Sequence, residues 1–274
     1  MLTEKQKKSF IDNGYVVLDD FFNKTELLEF RNMLIHIIRK YLKKAKERFP
    51  GLSIEDFEGK ELDEGMIKLE EIDHQYIADI YDTIFQTSQF LRIISKKEIS
   101  ENINQIMERK PSDPLYIDQS RCRIDTPFDP HMKKCGWHQE VFYYVPKSNF
   151  VQTWAPLIHD AKKENGAVEV CLGSHKKIAK QNNEKRNDEK YPFIVVESEI
   201  EKYSKQIMEL KLGQFLIFSS RLIHRSGNNV SKKVRYSLAG INHNLDNEFF
   251  SPPKLVEIDK KGKFEKYYKN TIEK

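Results

Sequence analysis

An imidazole and a carboxylate stand two residues apart in Trp137-His138-Gln139-Glu140. A second imidazole follows far downstream at His224, and an arginine comes soon after it at Arg235. Two histidines and one carboxylate on one side of a ferrous ion leave its other positions open for a chelating cosubstrate and for oxygen, so the pattern suits mononuclear iron that activates oxygen. On a β-strand residues i and i+2 project from one face, which predicts that His138 and Glu140 reach a common point while Gln139 points away. His224 must then arrive from another strand. The tripeptide alone carries little weight in a chain with 8 histidines and 42 acidic residues, because short motifs recur by chance.

The surroundings of His224 carry more. Gly213-Gln214-Phe215-Leu216-Ile217-Phe218 reads as a turn glycine entering a strand buried on both faces. His224 is expected just past the end of that strand, with Ser226, Gly227 and Asn228 marking a loop. The next strand, Val234 to Ala239, puts Tyr236 and Leu238 on one face and Arg235, Ser237 and Ala239 on the other. An arginine flanked by small residues on an otherwise apolar strand predicts a cavity with a cation inside, suited to bidentate capture of a carboxylate.

Other motifs line up in a recognisable order. They are Leu2-Thr3-Glu4-Lys5-Gln6, Gly14-Tyr15-Val16-Val17-Leu18 with Phe21-Phe22, Gln152-Thr153-Trp154-Ala155-Pro156-Leu157, Asn165-Gly166-Ala167 and Gly173-Ser174-His175-Lys176. Together with the segment from Gly213 to Arg235, through His224, Ser226 and Asn229, they make the chain resemble the phytanoyl-CoA dioxygenase family of iron(II)- and 2-oxoglutarate-dependent oxygenases. The resemblance implies that His138, Glu140 and His224 bind Fe(II) and that Arg235 binds the far carboxylate of 2-oxoglutarate, with Ser226 hydrogen-bonding to it. It further implies cosubstrate contacts for Gln119 and Trp154. The implied reaction consumes O2 and 2-oxoglutarate, releases succinate and carbon dioxide, and hydroxylates a small molecule. Glu140 departs from the family's usual aspartate, and Arg123 stands near a place where the family often has asparagine. A glycine or alanine at 140 would instead suggest a halogenase, with halide in the vacated position; Glu140 keeps the charge and disfavours that reading. Two rival classes are a cupin-like metal-binding protein without oxygenase activity and a metal-assisted isomerase or hydrolase on the same barrel.

The elements that must position these residues divide the chain into a helical front, about 1–110, a β-rich core, about 111–245, and a tail, 246–274, within one domain. Thr3 with Gln6 reads as a capping box opening a short helix. Leu27, Phe30, Leu34, Ile37, Ile38 and Tyr41 recur at helical spacing between Thr25 and Arg48, and Pro50-Gly51 ends that helix. Phe85, Phe90, Leu91, Ile94, Ile103 and Met107 predict two more helices packed outside a sheet. From Leu115 the period moves toward two, with strands expected at Leu115–Asp125, Gly136–Val145, Phe150–Leu157, Ala167–Leu172, Phe193–Val196, Leu212–Ser219 and Val234–Asn242. That count suits a mainly β fold with flanking helices around a double-stranded β-helix, the cupin-like jelly roll.

Composition narrows the class without choosing the chemistry. The 46 basic and 42 acidic residues are interspersed and leave a net charge of +4, which describes a solvated surface and argues against a nucleic-acid partner. No apolar run approaches the ~18 residues of a membrane span, and the N-terminus lacks a signal-peptide core. Three cysteines, Cys122, Cys135 and Cys171, without Cys-x-x-Cys spacing, point to a reducing cytoplasm and away from a cysteine zinc site. Lys176 to Lys190 reads as a polar insertion whose positive charge would favour an anionic substrate. Arg121 and Arg123, expected on the face of Gln119, point either into the barrel or to solvent, and from the interior would serve the same end. His131 is a candidate substrate contact or spare ligand, His175 a turn residue, and His36 and His74 are expected in solvent. Phe142, Tyr143 and Tyr144 are expected to pack around the iron strand.

Overall fold

Thr3 caps the first helix as its spacing to Gln6 predicts, each side chain bonding the other residue's backbone N–H. That helix, α1 (Glu4–Asn13), ends at Gly14 in the left-handed conformation and hands over to β1 (Tyr15–Leu18). The computed structural model describes residues 1–127, 136–142, 149–182, 193–248 and Phe250, with the side chain of Gln119 outside that set. His131, Cys135, Tyr143, Tyr144, the part of the polar insertion from 183 to 190 and most of the tail lie outside the described residues.

The long helix α2 (Lys24–Arg48) buries Leu27, Phe30, Leu34, Ile37, Ile38, Leu42 and Ala45, the stripe expected from spacing. Each large side chain so buried contributes about 1.5–3 kcal/mol of transfer free energy. After it in the chain come a π-helical turn (Glu61–Gly65), α3 (Met66–Ile72), α4 (Gln75–Phe85), α5 (Ser88–Ile94) and α6 (Lys97–Ile106). The residues from Phe85 to Met107, expected on two helices, fall on three: the end of α4, then α5 and α6. Ser88 and Lys97 restart helices where the apolar stripe alone showed no boundary.

The β core follows: β2 (Leu115–Asp125), β3 (Phe150–Pro156), β4 (Val168–Cys171), β5 (Gln181–Asn182), β6 (Ile194–Val195), a short α7 (Glu197–Ile200), β7 (Lys205–Ile207), β8 (Phe215–Ser219), β9 (His224–Ser226) and β10 (Arg235–Asn244). A five-stranded antiparallel sheet has the order β1-β8-β3-β10-β2, and a smaller sheet the order β7-β4-β9. An isolated bridge between His138 and His224 adds a fourth row beside β9. This is the jelly roll the strand pattern predicts. Strand Phe193–Val196 is one exception, since β6 pairs only with β5 in a separate ribbon.

Alternation gives the large sheet two different faces. Val16, Val151, Ala155, Phe215, Ile217, Tyr236 and Leu238 face the helices in one continuous core. Trp154, Leu216 and Phe218 face inward, against Val168 and Val170 of the small sheet. Cross-strand register places Gln152 opposite Phe218, and Arg235, Ser237 and Ala239 opposite Asp125, Arg123 and Arg121, on that same inner face. The interior of the roll is therefore apolar at one level and strongly polar at another.

Candidate metal centre

His138 and His224 face each other directly across the antiparallel bridge, each donating its backbone N–H to the other's carbonyl at 3.0 Å. Residues paired this way project to the same side, which brings the two imidazole centroids to 4.3 Å. In each ring Nδ1 lies 2.9 Å from a backbone carbonyl, Gly136 for His138 and Leu222 for His224. A carbonyl only accepts, so both Nδ1 atoms carry the proton and both Nε2 atoms, when the rings are neutral, offer a lone pair to one point. Burial, reinforced by the neighbouring His138, pushes His224 down to about 3. It stands neutral at physiological pH, the form in which imidazole binds a metal.

Glu140 completes the set by a route that corrects the sequence reading. Over 136–142, the described part of the strand expected at Gly136–Val145, no strand forms: His138 makes a single bridge, and the chain turns at once into a 3-10 turn, Glu140–Phe142. Val141 N–H is taken by Ser220 O at 3.0 Å, so the backbone peels away from β9 after one pair. Glu140 thus reaches the histidines from a turn, with its Oε2 3.5 Å from His138 Nε2 and 4.0 Å from His224 Nε2. One ligand atom from each of the three residues lies within 4.8 Å of the others. Burial works against ionisation of Glu140. The hydrogen bond and charge of His138, followed by His224 and Gln152, outweigh it and hold the carboxyl below its ordinary range.

Gln139 points away from the centre, as expected, and is fully buried. Its amide donates to Lys177 O and Arg221 O, and its Oε1 accepts from Ala179 N. It ties the segment bearing His138 to the approach of β9. Ser174 does similar work, accepting from Ile223 N and donating to Cys171 O. His224 itself belongs to β9 and not to a loop, and Ser226 closes that strand on the face of His224.

Arg235 lies on the inner face of β10, 4% exposed. Its Nε and Nη2 donate to Asp125 Oδ2 at 3.0 and 2.7 Å, and Arg123 Nη2 approaches Asp125 Oδ1 at 3.2 Å. Burial alone would raise the Asp125 carboxyl, but Arg235 and Arg123 bring it down to about 2. Asp125 is a site residue the sequence reading missed. Its signal was available, because Asp125 ends the strand expected to carry Arg121 and Arg123.

The slot for Arg235 is cut by glycine. Gly166 has φ +84°, and a Cβ there would sit 2.5 Å from both Arg235 Nη1 and Gly227 O. We expect Gly166→Ala to cost about 2–4 kcal/mol, from left-handed strain and a backbone collision. Urea unfolding measures it, and a loss under 0.5 kcal/mol, on the order of an ordinary surface substitution, would mean that the slot relaxes freely.

The remaining expected site residues are placed unevenly. Trp154 is on the inner face of β3, packed with Leu216 and Leu222. Arg121 and Arg123 share the inner face with Arg235. A one-residue register shift between Arg121 and Asp118 interrupts the alternation that linked them to Gln119. Phe142 stacks on Phe193 at 6.0 Å, and Phe218 meets His224 edge-on at 5.0 Å. Two buried acceptors on the inner face, Gln152 Oε1 and Ser237 Oγ, have no hydrogen-bond partner among the described residues. Both are groups that a bound polar molecule satisfies. His175 sits in a 3-10 turn, and His36 and His74 are exposed. Among the described residues no helix is long and apolar enough to cross a membrane.

Fold and centre together define a jelly-roll protein with a two-histidine, one-carboxylate metal site. The Phytanoyl-CoA dioxygenase (PhyH) family model matches residues 10–237, and the chain belongs to that family. Peroxisomal phytanoyl-CoA dioxygenase of Bos taurus is 22% identical over 252 residues, covering 87% of this chain and 68% of the relative. Among solved structures, EctD from S. alaskensis with 2-oxoglutarate and 5-hydroxyectoine matches at TM-score 0.58 and 16% identity, over 92% of this chain and 79% of that one. The epimerase SnoN in complex with Fe3+, alpha ketoglutarate and nogalamycin RO matches at TM-score 0.56 and 14% identity, over 88% and 83%.

Proposed function

We propose that this chain is an Fe(II)- and 2-oxoglutarate-dependent dioxygenase that hydroxylates a small molecule. The observation that carries the reading is the direct pairing of His138 with His224 across the bridge, with Glu140 turned in beside them. Two imidazoles that turn Nε2 toward one point, and an ionised carboxylate beside them, fit ferrous iron. Bound with 2-oxoglutarate, such an ion supplies a two-electron oxidation by O2 that yields succinate and carbon dioxide.

The chain's own residues do the placing. His138, Glu140 and His224 hold the metal, and the carbonyls of Gly136 and Leu222 fix the rings that face it. Arg235, held edge-on by Asp125, receives the distal carboxylate of 2-oxoglutarate, with Ser226, Trp154 and Gln119 as its further contacts. Phe218 and Trp154 are buried apolar rings on the inner face, Phe218 against His224, and such surroundings strengthen charged contacts beside them. Arg121, on the same inner face toward the far end of β2, is the residue we assign to an anionic substrate group. Two buried free thiols, Cys122 and Cys171, agree with a reducing compartment such as the cytoplasm.

Anaerobic addition of Fe(II) and then 2-oxoglutarate is expected to produce a visible charge-transfer band. Its absence would favour a metal-binding protein of another kind. Incubation of the enzyme with a metabolite extract and O2 then separates chemistries by mass. Hydroxylation adds one oxygen, ring closure removes two hydrogens, and epimerisation changes no mass. Succinate formation coupled to oxygen uptake excludes a simple isomerase or hydrolase.

A further inference from the structure

Gln152 stands between the metal centre and the interior of the roll. It lies on the inner face of β3, opposite Phe218 of β8 and Ile241 of β10, and is 9% exposed. Its Nε2 donates to Glu140 Oε2 at 3.0 Å. That oxygen is the one nearest to both imidazoles. The amide's orientation follows from chemistry, because turning it over would set a carbonyl against a carboxylate. Its other half, Oε1, is then left buried and without a partner among the described residues.

Glu140 needs such a partner more than an aspartate would. It approaches from a 3-10 turn, and its side chain has one more rotatable bond, so nothing in the backbone fixes where Oε2 points. A carboxylate that ligates a metal holds its orientation through hydrogen bonds from outside the coordination sphere. His138 and His224 are fixed by donating Nδ1–H to Gly136 O and Leu222 O. Glu140, which can only accept, is fixed by the N–H of Gln152 Nε2.

We propose that Gln152 is a positioning residue that fixes the glutamate ligand, and that its buried Oε1 accepts a hydrogen bond from an O–H or N–H of what binds at the metal. The inference rests on the metal-site reading above. It assigns the amide two jobs: one serves the protein's carboxylate, the other serves the bound ligand.

A double-mutant cycle on metal affinity tests it, with Mn(II) as the probe and calorimetry as the readout. Gln152→Leu is expected to weaken Mn(II) binding about 10–100-fold, the usual effect of losing a partner outside the coordination sphere. The thermal midpoint of the metal-free protein should stay within a few degrees of wild type, since leucine also removes an unsatisfied buried acceptor. In a Glu140→Asp background, where the carboxylate is drawn back from Gln152, the same substitution should change affinity less than about threefold. An equal loss in both backgrounds would mean that Gln152 acts on the fold and not on Glu140, and unchanged affinity in Gln152→Leu would also overturn the proposal. A wild-type protein that binds no Mn(II) would overturn the metal reading itself, which is a distinct result. For the second job, the Mn(II)-loaded proteins are titrated with 2-oxoglutarate and then with water-relaxation measurements. Compared at full metal occupancy, Gln152→Leu, which has no acceptor, should alter proton relaxation from metal-bound water relative to wild type; identical relaxation in the two proteins would remove the role of Oε1.

Discussion

Arg235→Ala should unfold at markedly lower denaturant than wild type, by about 3–5 kcal/mol, because it leaves a buried carboxylate without its main partner. Asp125 is 3% exposed, and its Oδ2 would lose both hydrogen bonds from Arg235 while Arg123 kept only Oδ1. Metal affinity measured on the folded fraction should persist, since neither residue touches the three ligands. Binding of 2-oxoglutarate should fall at least about 100-fold, a charge-assisted contact being among the stronger single interactions. Arg235→Met with Asp125→Asn removes the pair without stranding a charge and should recover most of the stability but none of the cosubstrate binding. Recovery of both would show that Arg235 is purely structural.

The sign of the accompanying pH effect is fixed by the depressed carboxyl. Asp125 titrates at about 2 in the folded protein against an ordinary 3.8. Its contribution, roughly 2 kcal/mol from that difference, is fully present above about pH 4 and is lost as pH falls through 2. Asp125→Asn should therefore lower stability at neutral pH and flatten the acid limb of the stability curve between those values. A variant with the wild-type acid limb would mean that Asp125 is not the group titrating there.

Much of this molecule was legible because its signals are local. The capping box at Thr3, the apolar stripe of α2 and the alternation of Tyr236 and Leu238 against Arg235 and Ser237 each depend on near neighbours, and each reappears in the structure. The pairing of His138 with His224 was legible only as a need, since register between distant strands has no local code. The turn at Glu140 was hidden for a related reason. Alternation in 136–145 looked like a strand, but a strand needs a partner along its length, and Ser220 O captures Val141 N–H after a single pair. Asp125 escaped notice because a carboxylate at a strand end is ordinary until its cross-strand neighbour is known to be a buried arginine. Gln152 escaped for the same reason: glutamine on an apolar strand reads as an edge residue until the carboxylate above it is placed.

That turn determines what to expect at Glu140 itself. Glu140→Ala removes the one anionic donor of the three and should lower Fe(II) or Mn(II) affinity by more than about 100-fold, exceeding what loss of an outer partner costs, with turnover lost in proportion. The fold should survive, because the His138–His224 bridge and the three hydrogen bonds of Gln139 use none of the Glu140 side chain. Glu140→Asp is the more discriminating variant. On an extended strand the shorter carboxylate would reach the same point; from a 3-10 turn it starts further back and also withdraws from Gln152. Its metal affinity should fall about 10-fold, the scale of a lost outer hydrogen bond, while turnover remains measurable because charge and ligand type are kept. If Glu140→Ala instead bound metal as tightly as wild type, Glu140 would be no ligand, and the two histidines would have to find their third partner elsewhere. If Glu140→Asp bound more tightly than wild type, the turn would be able to re-extend into a strand, and the glutamate would be a substitution the site tolerates and does not need.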